Sequence, residues 1–230
     1  MVEDTDEVLE GFRHLVDALM STYQEPVVAY VQALVLPTLG EFLSKELFGP
    51  EIKSTAMNLM NTLVKFGGAS GSGLVPVILP IWLAACQDED EDVRVTAFYG
   101  IGIFAISNPG FVHQGMAPIW QIVQSVLGNK AAMIADNSGE HIVWDNAFAA
   151  AFRFFRCGIM TDSSIYQGLL SLLPIESDID EAAAVVEIVL ALSDRFRPAS
   201  GLRKLAEQQV TLLADKHDNF QQVRLHSLSF

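Results

Sequence analysis

The chain has little cysteine, little positive charge and no long uninterrupted apolar run. It has only two cysteines, Cys86 and Cys157, each within an apolar helical stretch. That excludes a disulfide framework and leaves buried free thiols as the expectation. Lys and Arg number 14 against 28 Asp and Glu, giving a net charge of −14 and a pI near 4.6. A nucleic-acid surface needs clustered cations to meet phosphate, so that class is excluded. The five histidines are scattered, and no pair has the i, i+4 spacing of a helical metal site. Neither a metal nor any other cofactor is expected. The longest strongly apolar run, Leu74 to Cys86, contains Pro76 and Pro80 and is shorter than a membrane span. The opening MVEDTDEVLEGF lacks a basic and then apolar leader, so no secretory signal and no membrane insertion are expected. A soluble, intracellular protein is the expectation. The glycine run Gly67 to Gly73 has no following Lys-Ser/Thr to reach phosphates and no preceding strand, so it reads as a flexible connector. Sustained period-2 alternation, the mark of strands, is also missing.

What the chain does have is a repeated phrase at the head of apolar helices. Ile52-Lys53-Ser54-Thr55-Ala56 returns 41 residues later as Val93-Arg94-Val95-Thr96-Ala97. A looser copy, Val143-Trp144-Asp145-Asn146-Ala147, follows after 50, a further helix starts at Ile179 after 36, and Val223-Arg224 follows after 44. Each of the first three phrases sets a branched apolar residue and an alanine one turn apart on one helical face. Periods near 40 residues built from two helices suggest a solenoid, because a single pair cannot bury its apolar face alone. Half of the 230 residues are hydrophobic, enough for a continuous core.

Helices are expected near 3–21, 27–46, 51–66, 74–87, 93–107, 111–127, 140–157, 163–173, 179–196 and 201–216. Val8, Phe12, Leu15, Val16 and Leu19 form one stripe on the first of these. Pro50 suits a first helical turn, and Asp162-Ser163 and Ser177-Asp178 supply N-caps. The fold class is thus all-α, a right-handed α-α superhelix of about four to five helix pairs. As one array over 1–230, its repeats fall near 26–67, 71–108, 110–158, 163–197 and 201–230, with helix 3–21 belonging to a preceding repeat. The enlarged connector from Gly128 to Glu140 accounts for the 50-residue step.

Among the charged segments the acidic run Asp88-Glu89-Asp90-Glu91-Asp92 is the sharpest. Carboxylates before a helix cap its free N–H groups and complement its dipole. Five in a row exceed that need, and an edge lined by such turns would attract Lys/Arg-rich ligands. Both readings stand at this stage. Glu176, Asp178, Asp180 and Glu181 repeat the arrangement. Trp144 takes the place of Lys53 and Arg94, beside the core stripe, so it reads either as an exposed contact anchor or as packing against the next repeat. Trp82 and Trp120 read as core. Gly100-Ile101-Gly102 lies within a helix, where small residues let neighbours approach. Arg94 and Asp145 are candidates for a ladder of hydrogen bonds between adjacent repeats.

The phrase Asp90-x-x-Val93-Arg94-x-x-Ala97 with Gly100 resembles the second helix of a HEAT repeat. The order Phe98-Tyr99-Gly100-Ile101-Gly102, Val143-Trp144-Asp145-Asn146-Ala147, then Leu169-Leu170-Ser171-Leu172-Leu173-Pro174-Ile175-Glu176-Ser177-Asp178 is similar to the C-terminal part of importin-β-type karyopherins. Those receptors carry "YGIG", "VRDN" and "LLxxLPLxxD" segments at this spacing. The similarity covers 26–215 loosely and 88–190 most clearly. Trp144 departs from the family's Arg, and the chain is much shorter than a full karyopherin, which implies a C-terminal fragment or a reduced relative.

The resemblance implies a non-enzymatic nuclear transport receptor that binds protein cargo through basic nuclear localisation signals. It implies Ran GTPase binding through repeats outside this chain, nucleoporin contacts, and shuttling between cytoplasm and nucleus. No Ran-contact residue carries over. The alternative is a cytoplasmic HEAT-repeat scaffold or adaptor. Asp88, Glu89, Asp90, Glu91, Asp92 and Trp144 are the partner-binding candidates, and no catalytic residue is expected.

Overall fold

The computed structural model describes residues 3–24, 26–31, 33, 49–130, 140–175, 177–193, 195, 196, 208, 209 and 211. Every secondary-structure element among them is a helix. The chain forms two compact units, residues 1–122 and 123–230. No described helix is long and apolar enough to cross a membrane.

The first unit holds α1 (Glu3–Tyr23), α2 (Pro50–Phe66), α3 (Gly68–Ser72), α4 (Val75–Ala85), α5 (Glu91–Ser107) and α6 (Pro109–Gln114). Residues 26–31 are helical as well. Pro50 starts α2, where its missing N–H costs nothing. α2 is the middle of a stack, with α1 on one side and α5 on the other, and α4 lies against α5. The repeated phrase explains this order. Ala56, Val93 and Ala97 are buried, and the small alanines let the helices approach. At the centre of the stack the buried Asn61 amide donates to the Thr96 carbonyl (3.1 Å) and accepts from the Trp82 indole (2.9 Å). Both ends of that amide are satisfied, as burial demands. Gly100 faces the same spot. A Cβ there would sit 2.2 Å from Trp82 Nε1 and 2.3 Å from Asn61 Oδ1, so only glycine fits.

One expectation for this unit needs correction. The glycine run is not a flexible connector but the short helix α3, with Gly67 and Gly71 buried. A Cβ at either would fall within 2.2–2.4 Å of the Leu63 carbonyl. The joint is pinned by Ser72 Oγ donating to the Ser107 carbonyl (2.8 Å) and Asn108 Nδ2 donating to the Ser72 carbonyl (3.2 Å). The stripe on α1 is covered only in part. Val16 and Met20 are buried, whereas Val8, Phe12, Leu15 and Leu19 are exposed.

A single helix over 111–127 is replaced by α6 and α7 (Met116–Leu127), separated at Gly115, and the division between the units falls within α7. The second unit continues with α8 (Glu140–Arg156), α9 (Ser163–Leu170) and α10 (Ile179–Leu192). α8 is buried on nearly every side from Val143 to Phe155 and packs on α10. Aromatic rings extend from it in sequence: Trp144 stacks on Phe148, Phe148 meets Phe152, and Phe152 meets Tyr166 of α9. Asp162 and Asp178 cap α9 and α10 as the sequence suggests. Of the expected helices over 27–46 and 201–216, only 27–31, 33, 208, 209 and 211 are described, and the last phrase from Val223, His217 and His226 lie outside the described residues.

Candidate partner-binding site

The acidic turn joins α4 to α5, and its five carboxylates do different work. Asp88 receives the Lys53 ammonium from α2 and the Asp90 amide (3.1 Å). Burial pushes the Asp88 carboxyl up, but Lys53, the Asp90 amide and Arg94 together hold it below the usual carboxylate value. Asp90 is the N-cap of α5, accepting from the Val93 amide at 3.1 Å. Glu91 and Asp92 occupy the first turn, where the helix dipole favours negative charge. Partial burial, then the neighbouring Asp90, Glu91 and Glu51 charges, raise the Asp92 carboxyl. Arg94 folds back to donate to the Asp88 and Glu89 carbonyls (2.6 and 2.9 Å).

Capping and the inter-helix ion pair thus use Asp88 and Asp90. Glu89 and Asp92 remain exposed to solvent, with Glu91 half-buried beside them. Pro50, Lys53, Asp88, Glu89 and Asp90 line a surface depression of about 430 Å³. Its polar walls suit a cationic side chain, and charge-assisted hydrogen bonds are the available chemistry. Among the described residues no group of three or more His, Cys, Asp or Glu side chains could hold a metal ion.

The second acidic segment faces inward. Asp178 caps α10 and accepts from the Asn146 amide (2.9 Å). Glu181 is buried against Arg153, with nitrogen–oxygen separations of 2.7 and 2.8 Å. Burial raises the Glu181 carboxyl, and Arg153 opposes the rise. Asp180 is exposed, and Glu176 lies outside the described residues.

Trp144 is corrected as a contact anchor. It is 2% exposed, stacked on Phe148 at 4.8 Å, and covered by the Lys130 ammonium 4.3 Å from its ring centre. Its indole N–H reaches the Leu127 carbonyl at 3.4 Å. Lys130 is the residue the sequence did not reveal. It donates to the Leu172 and Pro174 carbonyls and so clamps the turn after α9 over the ring. Trp82 is core as expected, while Trp120 is half-exposed. Of the two residues expected in a ladder between helix pairs, Asp145 takes that place. Arg94 serves its own turn, whereas Asp145 Oδ2 accepts from the Ser177 and Asp178 amides (2.9 and 2.8 Å) and ties α8 to the start of α10. Burial first, then the nearby Asp178 charge, push the Asp145 carboxyl up to about 6 against the pull of those two amides and His141.

No protein-family model matches the chain, and no curated protein does. Among solved structures it is similar to the karyopherin Kap121p, in its complex with the SUMO protease Ulp1p. The likeness covers 91% of this chain with a TM-score of 0.72 at 16% identity. The fold is that of an importin-β-like helical repeat region. The chain spans about a fifth of that karyopherin's length, 21%.

Proposed function

We propose that this chain is the cargo-binding part of a nuclear import receptor of the karyopherin type. The observation that carries the reading is the likeness to Kap121p over 91% of the chain. The net charge of −14 supports a basic partner, such as a nuclear localisation signal, and Kap121p was itself solved with a bound protein. Binding is reversible and non-enzymatic. Long-range attraction speeds encounter and weakens with salt, since the Debye length falls to about 8 Å at physiological ionic strength. Glu89 and Asp92, with Glu91 between them, make the first contacts, while Asp88 and Asp90 keep the turn in shape. The receptor shuttles between cytoplasm and nucleus, meeting nucleoporins, and Ran acts through repeats outside this chain.

The test is fluorescence anisotropy of a labelled Lys/Arg-rich signal peptide at several salt concentrations. Replacing Glu89, Glu91 and Asp92 with Gln, Gln and Asn is expected to weaken binding severalfold and flatten its salt dependence, with the melting temperature lowered by no more than a few degrees through the lost helix-dipole interaction. Unaltered affinity would remove the turn from the binding surface. A pull-down with the natural full-length protein then separates the two functional readings. Basic proteins released by GTP-locked Ran support the transport receptor, and partners indifferent to Ran point to a scaffold.

A further inference from the structure

Lys53, near the start of α2, reaches the turn that joins α4 to α5, 35 residues further along the chain, and gives its ammonium to Asp88. Asp88 Oδ2 takes that ammonium, while Oδ1 accepts from the Asp90 amide at 3.1 Å. One oxygen is thus engaged by its own turn and the other by a cation from another helix. The turn keeps its shape by other means. Asp90 caps α5 through the Val93 amide at 3.1 Å, and Arg94 donates to the Asp88 and Glu89 carbonyls at 2.6 and 2.9 Å. All three of these contacts lie within the turn and the start of α5. Lys53 and Asp88 keep 31 and 24% of their side-chain surface open. An ion pair at that exposure shifts an equilibrium by no more than about fivefold. The pair also walls the depression of about 430 Å³ shared with Pro50, Glu89 and Asp90. Because Lys53 lines that space, a second cation entering it reaches Asp88 Oδ2 only in competition with the ammonium already there.

We infer that Lys53 is an occluding residue, which withholds Asp88 from a basic partner and so sets how tightly the turn holds a Lys/Arg-rich segment. This rests on the reading of the turn as a basic-partner surface and names what limits it. An incoming ammonium or guanidinium meets uncompensated negative charge at Glu89, but at Asp88 it meets a pair whose charges cancel, with the like charge of Lys53 beside it. With Lys53 made neutral, Asp88 Oδ2 opens into the depression next to Glu89. Two adjacent carboxylates can then accept charge-assisted hydrogen bonds from one guanidinium or from two neighbouring basic side chains.

The test is fluorescence anisotropy of a labelled Lys/Arg-rich peptide with the 230-residue chain and four variants. Lys53→Met is expected to tighten binding about 3- to 5-fold and to steepen its fall with salt. Adding Asp88→Asn to that variant should remove the gain, whereas Asp88→Asn alone should lower affinity by less than about 2-fold. Lys65→Met makes the same change in net charge further along α2 and should leave affinity within about 2-fold. Wild-type binding that Lys53→Met leaves unchanged or weakens overturns this inference alone. So does a gain that survives Asp88→Asn, or an equal gain from Lys65→Met, which would assign the effect to net charge. Absence of peptide binding by the wild type and every variant overturns the reading of the turn itself, and the inference with it. Circular dichroism melts establish that each variant is folded. Should Lys53→Met fail to fold, Lys53→Gln, which keeps a polar end beside Asp88, takes its place with the same expectations.

Discussion

Trp144→Ala is expected to destabilise the second unit severely while leaving partner binding by the folded protein intact. The indole is 2% exposed, so truncation removes a fully buried bicyclic ring. Removing a buried Trp or Phe from a core costs about 3–5 kcal/mol, depending on how far the site can collapse. Collapse is limited here, because Phe148 stacks on one ring face with an interplanar angle of 19°. The Lys130 contact at 4.3 Å adds about 0.5–2 kcal/mol while the ring is present. The 3.4 Å bond to the Leu127 carbonyl is long and adds little. These contributions overlap, and a loss of about 4 kcal/mol is the expected outcome. That is a large fraction of the 5–15 kcal/mol that holds an ordinary domain together. Urea denaturation followed by circular dichroism measures it, with two transitions fitted where the two units unfold separately. Trp144→Phe, which keeps the stack, should lose only part of this. A loss under about 1 kcal/mol for the alanine variant, together with weakened peptide binding, would refute the packing account and return Trp144 to the surface.

Two further outcomes follow from buried charge. The Asp145 carboxyl stands at about 6 in the folded protein against roughly 4 when unfolded. Between those values the native state keeps a proton that the unfolded chain has released, so this group's contribution is fully present below pH 4 and lost as pH rises through 6. Asp145→Asn should therefore remove about 3 kcal/mol of pH-dependent loss, and the difference between wild-type and variant stability curves should change across pH 4–6. A flat difference curve would refute the assignment. Glu181 shifts in the same sense, but it is common to both proteins and cancels. Arg153→Met leaves Glu181 buried without its cation and should cost about 3–5 kcal/mol, most of it recovered when Glu181→Met is added. A loss below about 1 kcal/mol for the single substitution would show that the pair is not held in the interior.

The period was legible because it is written in residues whose job is to be buried. Ala56, Val93, Ala97, Val143 and Ala147 all have exposures of 1% or less, and their spacing alone places the helices that carry them. The caps Asp90, Asp162 and Asp178 were legible for a related reason, since a short acceptor before an apolar run has few other uses. Glycine was read less well. In sequence a Gly/Ser run denotes freedom, yet Gly67 and Gly71 are glycine because the Leu63 carbonyl leaves no room for a Cβ. Close approach and flexibility share one residue type, and only the neighbour, distant along the chain or one turn away, tells them apart. The α1 stripe was legible as a helical stripe, but not in its burial. Periodicity locates an apolar face but does not say which neighbour, if any, covers it.

The same limit explains the partner-binding candidates. Lys53 and Trp144 occupy equivalent places in the repeated phrase, and the register gives both the same position beside the core stripe. What separates them is a residue elsewhere in the chain. Lys53 extends to Asp88, in the acidic turn of the next pair, and stays about one-third exposed, with 31% of its side-chain surface open. Trp144 is roofed by Lys130, whose ammonium is drawn there by two carbonyls of the turn after α9. One cation reaches outward along the stack, and the other is folded inward over a ring. The division of the acidic run follows from the same logic. Asp88 is claimed because Lys53 is within reach, and Asp90 because the first turn of α5 has free amides. Glu89 and Asp92 are left outward by that pairing. On the proposed reading a basic partner is met by the carboxylates that the fold does not use, so neutralising Asp88 or Asp90 should reduce binding only by loosening the turn that presents them.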